Sequence, residues 1–283
     1  MKKRSILVIA SLFTTFLVNV FAQTNTYPFD IQKSGQGKQT IIFIPGFASS
    51  GVVWDETKSH FEEGYTCYTL TMPGFAGVKP QPNATFEKWA SEIVHYIQEN
   101  NFSKPIIVGH SMGGGLALAI ASDYPELIAK IIVVDALPCL PALMNPSFKS
   151  KKNKDCTEMI KQMTSMSDEQ FHQMQSMTIP RFLEDITKSE LVVSWSVKSD
   201  RKTFAQMYCD FSNTDLRDRI KTIKCPSLIL LEAPFAKLKP VIKEQYKNLK
   251  TAKLEFAGKG LHFIMYDDKE WYLNQLEKFI TSK

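Results

Sequence analysis

The sequence lacks several features that would place it in a specialised class of protein. Its 283 residues contain no visible internal repeat and no low-complexity tract, which argues against a solenoid and against a disordered chain. None of its five cysteines is paired with another at the spacing of metal ligands, so no metal and no cofactor is implied. At 44% hydrophobic and 22% charged residues, the chain has an ordinary globular composition and is long enough to bury one large core.

The first 22 residues differ in character from the rest. Three basic residues at positions 2–4 precede an apolar segment over residues 6–21, which ends at Ala22. This order is typical of a secretory signal peptide, with cleavage expected after Ala22. An uncleaved anchor is the alternative, but the apolar run is near the lower limit of spanning length and contains polar residues. We therefore predict a secreted or periplasmic protein with no stable membrane insertion after cleavage.

An excess of charge of one sign is also absent from the predicted mature chain. The formal net charge is +5, and it falls to +2 on cleavage because the removed segment carries three basic and no acidic residues. A nearly balanced charge does not indicate nucleic acid as a partner.

Residues 105–118, PIIVGHSMGGGLAL, have the pattern of a buried strand, a tight turn and a helix. The β-branched run at 106–108 predicts a strand inside a parallel sheet, and the turn at 109–113 matches G-x-S-x-G. Two further glycines follow, and the helix is predicted from Leu116 to Asp123. A serine at such a turn is held in a strained backbone with its hydroxyl directed away from the sheet. We therefore predict Ser111 as a nucleophile, with the amide of Met112 as an oxyanion donor at the start of the helix.

This segment resembles the nucleophile elbow of the α/β-hydrolase family, which often reads GHSMGG. The resemblance extends over almost all of the chain beyond residue 27. It implies an α/β fold with a mostly parallel central sheet flanked by helices and a helical cap inserted in the second half. We expect a signal peptide (1–22), a first part of the hydrolase core (23–137), a cap (138–213) and a second part of the core (214–283).

A second oxyanion donor is implied by the loop after the predicted strand at residues 40–44. This loop resembles the family's H-G-x segment, with Pro45 in place of the histidine and Gly46 retained. The donor would then be the amide of Phe47. Loss of one such donor typically raises the reaction barrier by about 3 to 4 kcal/mol.

Residues 136–213 break the alternation of strands and helices. Seven of the eleven methionines lie between Met144 and Met207. Two interpretations remain open: a packing stripe, or a deformable apolar pocket wall to which Met163 and Met174 contribute. A disulfide within this insertion is also open, and three cysteines are available for it: Cys139, Cys156 and Cys209.

The acid of the catalytic triad is ambiguous in the sequence. Family members usually carry it a few residues beyond the strand predicted here at 226–231, but this chain has no carboxylate at that spot. Glu232 directly follows that strand, about three residues before the usual position of the acid. Asp135 directly follows the strand predicted at 130–134. We favour Asp135, because the last residue of a parallel strand lies at the sheet edge where active-site loops gather.

His262 follows the last predicted strand, at residues 253–257, where the resemblance places the catalytic histidine. Four other histidines are present: His60, His95, His110 and His172. The first two fall on predicted helices remote from the elbow, the third lies within it, and the fourth lies on the predicted cap. His262 would take the proton from Ser111 and return it to the leaving group.

The sequence thus predicts a secreted serine hydrolase that forms an acyl-enzyme and acts on small-molecule carboxylic esters with an apolar acyl group. Lactonase, thioesterase, peptidase and carbon–carbon hydrolase chemistry remain alternatives, because the elbow is common to all of them. A hydrolase-fold binding protein without turnover is a further alternative, based on the missing acid after the strand at 226–231. The oligomeric state is left open.

Overall fold

The computed structural model describes residues 27–282, and a seven-stranded sheet forms its centre. The predicted signal peptide lies outside the described residues. The strands are β1 (Asp30–Ser34), β2 (Gln39–Ile44), β3 (Tyr65–Thr71), β4 (Ile106–His110), β5 (Lys130–Val134), β6 (Ser227–Leu231) and β7 (Ala252–Phe256). They lie in the order β1-β3-β2-β4-β5-β6-β7, and every neighbouring pair is parallel except β1 with β3. The predicted α/β fold with a mostly parallel sheet is confirmed.

Helices cover both faces of this sheet. Those of the described chain are α1 (Asp55–Phe61), α2 (Phe86–Glu99), α3 (Met112–Asp123), α4 (Thr157–Thr164), α5 (Asp168–Thr178), α6 (Ser189–Val197), α7 (Arg201–Phe211), α8 (Lys239–Gln245), α9 (Ile264–Asp267) and α10 (Lys269–Thr281). Side chains of α2, α3 and α8 pack on one face, and those of α1 and α10 pack on the other. Across residues 27–282, none of the helices combines the length and the apolar character that a bilayer span requires.

The central strands are apolar on both faces because both faces are covered. In β2, Ile42 and Ile44 pack with the helices of one face, while Ile41 and Phe43 pack with those of the other. All four side chains are fully buried. A strand buried on both sides needs an unbroken apolar run rather than an alternating one, which is the pattern found here.

Helix α3 begins at Met112, directly after Ser111, and not at residue 116 as the sequence pattern predicts. The glycines before residue 116 are part of this helix. They let the helix pack so closely against the sheet that a larger residue would not fit. A Cβ atom on Gly113 would meet the carbonyl oxygen of Ile44 at 2.3 Å, and one on Gly114 would meet the Cβ of Ala136 at 2.9 Å. The close approach places the start of α3 at the sheet edge.

Helices α4 to α7 form an insertion between β5 and β6, over the end of the sheet that carries Ser111. Phe171 and Phe204 of this cap join the core on one face of the sheet, while Val192 and Trp195 join the core on the other. A disulfide joins Cys156, just before α4, to Cys209 in α7. Cys139 is buried and has a free thiol.

Candidate active site

Three polar residues follow directly after three neighbouring strands: Ser111 after β4, Asp135 after β5 and Glu232 after β6. The backbone ladder of the sheet continues through the first two. The amide of Ser111 donates to the carbonyl of Val134 at 2.8 Å, and that of Asp135 donates to the carbonyl of Leu230 at 2.7 Å. The sheet itself therefore fixes the positions of these residues along its carboxyl edge, where active sites of open α/β sheets form.

The backbone at this edge is strained. Ser111 has a φ of 51°, Asp135 of 50° and Ala48, beside the oxyanion loop, of 52°. Left-handed conformations in residues other than glycine cost about 1–3 kcal/mol each and persist only where the surrounding structure holds them. Such strain concentrates at functional sites, so three strained residues in the loops after β2, β4 and β5 mark this edge as a candidate site.

Asp135 forms a hydrogen-bonded pair with His262. The ring Nδ1 of His262 lies 2.5 Å from Oδ2 of Asp135, and Oδ1 of the same carboxylate accepts the amide of Glu232 at 2.8 Å. The side chain of Asp135 is 1% exposed and that of His262 is 25% exposed. A carboxylate that accepts from Nδ1 leaves Nε2 available as a base.

The structure therefore brings Asp135, and not Glu232, to the ring of His262. Within residues 27–282, no hydrogen bond links the hydroxyl of Ser111 to His262. Catalytic hydrogen bonds of this kind are often long in enzymes without substrate.

The charges around His262 oppose the effect of its burial. Burial lowers the pKa of His262, but the hydrogen bond and the charge of Asp135, together with the charge of Glu232, raise it above its ordinary value. Burial, and then the charge of Asp135, raise the pKa of Glu232 to about 7. Glu232 is thus a second carboxyl beside the pair, which acts on the histidine through its charge.

One predicted oxyanion donor belongs to the elbow and the other to the loop beside it. Met112 is the first residue of α3, so its amide has no acceptor within the helix. Among the described residues, the amide of Phe47 has no hydrogen-bond partner either. The loop that carries Phe47 passes directly against the elbow, since a Cβ atom on Gly46 would meet the Cβ of Ser111 at 3.2 Å.

His110 contributes to the site in a way that the sequence analysis missed. Its Nε2 donates to the backbone carbonyl of His262 at 2.9 Å, and the two rings lie 4.6 Å apart between centroids. Burial, and then the charge of His262, hold the pKa of His110 well below its usual range, so its ring is neutral. His110 thereby links the elbow to the loop that carries His262. Its place inside the G-x-S-x-G motif was the available signal.

Aromatic side chains from the cap surround these residues. The ring of Phe47 lies 4.5 Å from that of Phe204 and 5.7 Å from that of Tyr208, both on α7. On another side, the ring of Phe182 lies 5.7 Å from that of His262. Sequence reasoning did not identify these three cap residues, because nothing in the local pattern of the cap indicates which side chains reach the sheet edge.

Met163 and Met174 are half-buried and pack against the hydrophobic core on the α3 face of the sheet. Their role as a pocket wall stays a prediction. In the part of the chain that the structure describes, no group of three or more histidine, cysteine, aspartate or glutamate side chains is placed to hold a metal ion.

Residues 39–164 match the family model of the alpha/beta hydrolase fold. The pimeloyl-[acyl-carrier protein] methyl ester esterase of Aliivibrio fischeri is 24% identical over 196 residues, which cover 69% of this chain and 74% of that protein. The enzyme with the same name from Vibrio cholerae is 25% identical over 203 residues, 70% of this chain and 76% of its own.

Solved structures resemble the chain over nearly its whole length. An enol-lactonase from Burkholderia xenovorans has a TM-score of 0.73 at 14% identity, covering 90% of this chain and 96% of its own. A thermophilic esterase from Thermogutta terrifontis has a TM-score of 0.73 at 15% identity, covering 89% and 92%. From the matched model, the sheet order and these structures together, we conclude that the chain has the alpha/beta hydrolase fold.

Proposed function

We propose that this protein is an exported serine hydrolase that cleaves carboxylic esters with apolar acyl groups through an acyl-enzyme. The observation that carries the proposal is the contact of 2.5 Å between Asp135 and His262, beside a serine in a strained elbow. The relatives from A. fischeri and V. cholerae are methyl ester esterases by name, which favours an ester over the other bonds that this fold family cleaves.

In the proposed mechanism, Oγ of Ser111 attacks the ester carbonyl carbon and Nε2 of His262 takes the hydroxyl proton. Asp135 holds the histidine in the required tautomer and stabilises its positive charge. The amides of Phe47 and Met112 donate to the oxygen that becomes negative. The bond to the alcohol oxygen then breaks, His262 gives its proton to that oxygen, and the acyl group stays on Ser111. Water, activated by His262, releases the acid in the second half of the reaction.

An apolar acyl group fits the walls near the oxyanion loop. Phe47 packs against Phe204 and Tyr208, and Tyr208 is 48% exposed, so apolar surface remains available there. Burial of an apolar group against such a surface is favourable by about 25 cal/mol per Å². Met163 and Met174, on the same side of the fold, would supply further adaptable surface if they line the pocket.

Export is supported by the disulfide as well as by the predicted signal peptide. The bond between Cys156 and Cys209 is of a kind that persists mainly in oxidising compartments such as the periplasm and the cell exterior. The position of Asp135 against His262 also weakens the main argument for a binding protein without turnover, since that argument depended on a missing acid.

The test is the initial rate of hydrolysis of p-nitrophenyl esters of increasing acyl length, with the chain from Gln23 onward. We expect turnover with an optimum at an intermediate or long acyl chain, and no turnover for Ser111→Ala. A serine-directed phosphonate should label the wild type at Ser111. Folded protein that hydrolyses no ester and takes up no phosphonate would contradict the proposal.

A further inference from the structure

One segment of the cap lies against the catalytic histidine and has no role in the mechanism above. It is the 3-10 turn Ile179–Phe182 with the residues that follow it up to 186. The ring of Phe182 lies 5.7 Å from the ring of His262, inclined at 55°, and Phe182 is 43% exposed. An aromatic side chain with this much free surface beside a catalytic histidine is available to contact a substrate.

One backbone hydrogen bond and the carboxylate of Asp267 hold this segment against the loop that carries His262. The amide of Phe263 donates to the carbonyl of Phe182 at 3.3 Å. The carboxylate of Asp267 accepts two amides at once, that of Leu261 at 2.8 Å and that of Asp185 at 2.9 Å. These bonds lie on both sides of His262 in the chain. The position of Phe182 relative to the histidine is therefore set before any substrate binds, as a specific subsite requires.

The chemistry of the reaction decides which part of an ester faces Phe182. When the tetrahedral intermediate collapses, the bond between the carbonyl carbon and the alcohol oxygen breaks, and the proton on His262 moves to that oxygen. The alcohol half must therefore lie beside His262, while the acyl half stays on Ser111 near the oxyanion amides. Phe182 is in contact with the histidine, whereas Phe204 and Tyr208 contact the oxyanion loop. The two halves of the substrate thus face different aromatic walls.

A second apolar side chain of this segment is also exposed. Ile186, four residues further along, is 72% exposed. The carboxylate of Asp185 is used within the segment, where Oδ1 accepts the amide of Thr187 at 3.1 Å and its hydroxyl at 2.5 Å. An exposed apolar ring beside the histidine favours an apolar group over a hydroxylated one.

We propose that Phe182 forms an apolar subsite for the alcohol half of the substrate, so that the enzyme prefers esters of bulky apolar alcohols, such as benzyl alcohol, over methyl esters. This inference rests on the proposed ester hydrolase function. It separates the protein from its relatives that are named as methyl ester esterases.

The experiment compares butyrate esters of methanol, butanol and benzyl alcohol, hydrolysed by the whole exported chain and followed by acid release. We expect kcat/KM for the benzyl ester to exceed that for the methyl ester by about tenfold or more in the wild type. Phe182→Ala should reduce this ratio about tenfold, and Phe182→Leu should retain most of it. Intrinsic differences between the alcohols as leaving groups cancel when the ratios of two variants are compared.

Two further variants distinguish a subsite from a general loss of structure. Met144→Ala alters a cap side chain that is 88% exposed and has no assigned role, so it should leave the ratio unchanged. In Phe182→Ala the preference for acyl length, measured on p-nitrophenyl esters, should also stay unchanged. Tyr208→Ala should change the acyl preference and leave the alcohol ratio within twofold.

Two results would overturn the inference while leaving the ester hydrolase proposal intact. One is a wild type that prefers the methyl ester, and the other is a Phe182→Ala variant with an unaltered ratio, which includes a variant in which all esters slow by one common factor. Failure of the proposed function has a different signature, since then no butyrate ester is cleaved and the phosphonate does not label Ser111.

Discussion

The carboxyl edge of the sheet and the cap above it are held in place by different kinds of interaction. At the edge, the backbone ladder continues into Ser111 and Asp135, and the strands that precede them, β4 and β5, are buried except at Lys130. In the cap, α4 has no buried residue. The cap is held together by the Cys156–Cys209 disulfide and by contacts that side chains make. For example, the guanidinium of Arg201 donates hydrogen bonds to the carbonyl of Met166 and to the carboxylate of Asp168.

The difference suits the edge to proton transfer and the cap to recognition of substrate. Proton transfer requires atoms to be placed within a fraction of an ångström, and a backbone ladder inside a buried sheet provides that. Recognition of substrate requires surfaces that change without moving the reacting groups, and side chains on an inserted cap provide those. We therefore expect substitutions at the edge to reduce the rate on every ester, and substitutions in the cap to alter preference or stability.

The largest effect should come from Asp135→Asn, which removes the carboxylate that contacts His262 at the carboxyl edge of the sheet. Without a carboxylate on Nδ1, His262 loses the tautomer that leaves Nε2 free, and kcat should fall about 10⁴-fold. The measurement is kcat on p-nitrophenyl butyrate.

The matched control is Glu232→Gln at the neighbouring strand end, where kcat should fall less than about tenfold, because Glu232 contacts Asp135 through its backbone amide. If Asp135→Asn kept near-wild-type turnover and Glu232→Gln abolished it, the acid would be wrongly assigned.

A smaller effect should follow from Gly46→Ala, which moves the oxyanion loop. The new Cβ would lie 2.8 Å from Nδ1 of His110 and 3.2 Å from the Cβ of Ser111, so the loop must shift and the Phe47 donor with it. We expect kcat to fall about 10²-fold with equal effect on short and long acyl chains. Gly258→Ala is the control, since its Cβ would meet no atom within 4 Å. Equal activity of the two variants would argue against a donor at Phe47.

Removal of the disulfide should lower the stability of the protein through the cap and leave the arrangement of the carboxyl edge unchanged. In the double variant Cys156→Ser, Cys209→Ser, the unfolded chain gains freedom, and the free energy of unfolding should fall by about 2–4 kcal/mol. Turnover of p-nitrophenyl acetate should stay within about tenfold of wild type, because Ser111 and Asp135, two of the three proposed catalytic residues, directly follow strands of the sheet. Urea titration and initial rates measure the two quantities. Loss of activity in protein that remains folded would show that the cap also positions the triad.

The smallest effect should be a shift in the pH profile of Glu232→Gln. His262 must be neutral to accept the serine proton, so kcat/KM rises as the pH increases through the raised pKa of His262. The charge of Glu232 is one of the causes that raise this pKa, after the hydrogen bond and charge of Asp135. Its removal should move the acid limb toward lower pH. A profile that shifts to higher pH would mean that Glu232 does not act through its charge.

Much of the edge could be predicted from local sequence. The strand before Ser111, the glycines around it and the late histidine in a loop are properties of contiguous residues, and their structures follow from local sterics and burial. The same local rules failed at the start of α3, where the glycines at 113–115 suggested a longer turn. In the structure those residues are helical, and the absence of side chains at 113 and 114 lets α3 pack closely on the sheet.

By itself, the sequence determined the fold, the order of the strands along the chain and the residues available for proton transfer. Only the tertiary structure decided that Asp135 and not Glu232 meets His262, a contact between residues 127 positions apart. It likewise decided that Cys156 pairs with Cys209, that His110 supports the histidine loop, and that Phe182 reaches the site. The physical reason is that each of these contacts joins segments distant in the chain, and their approach depends on how the whole sheet and cap pack together.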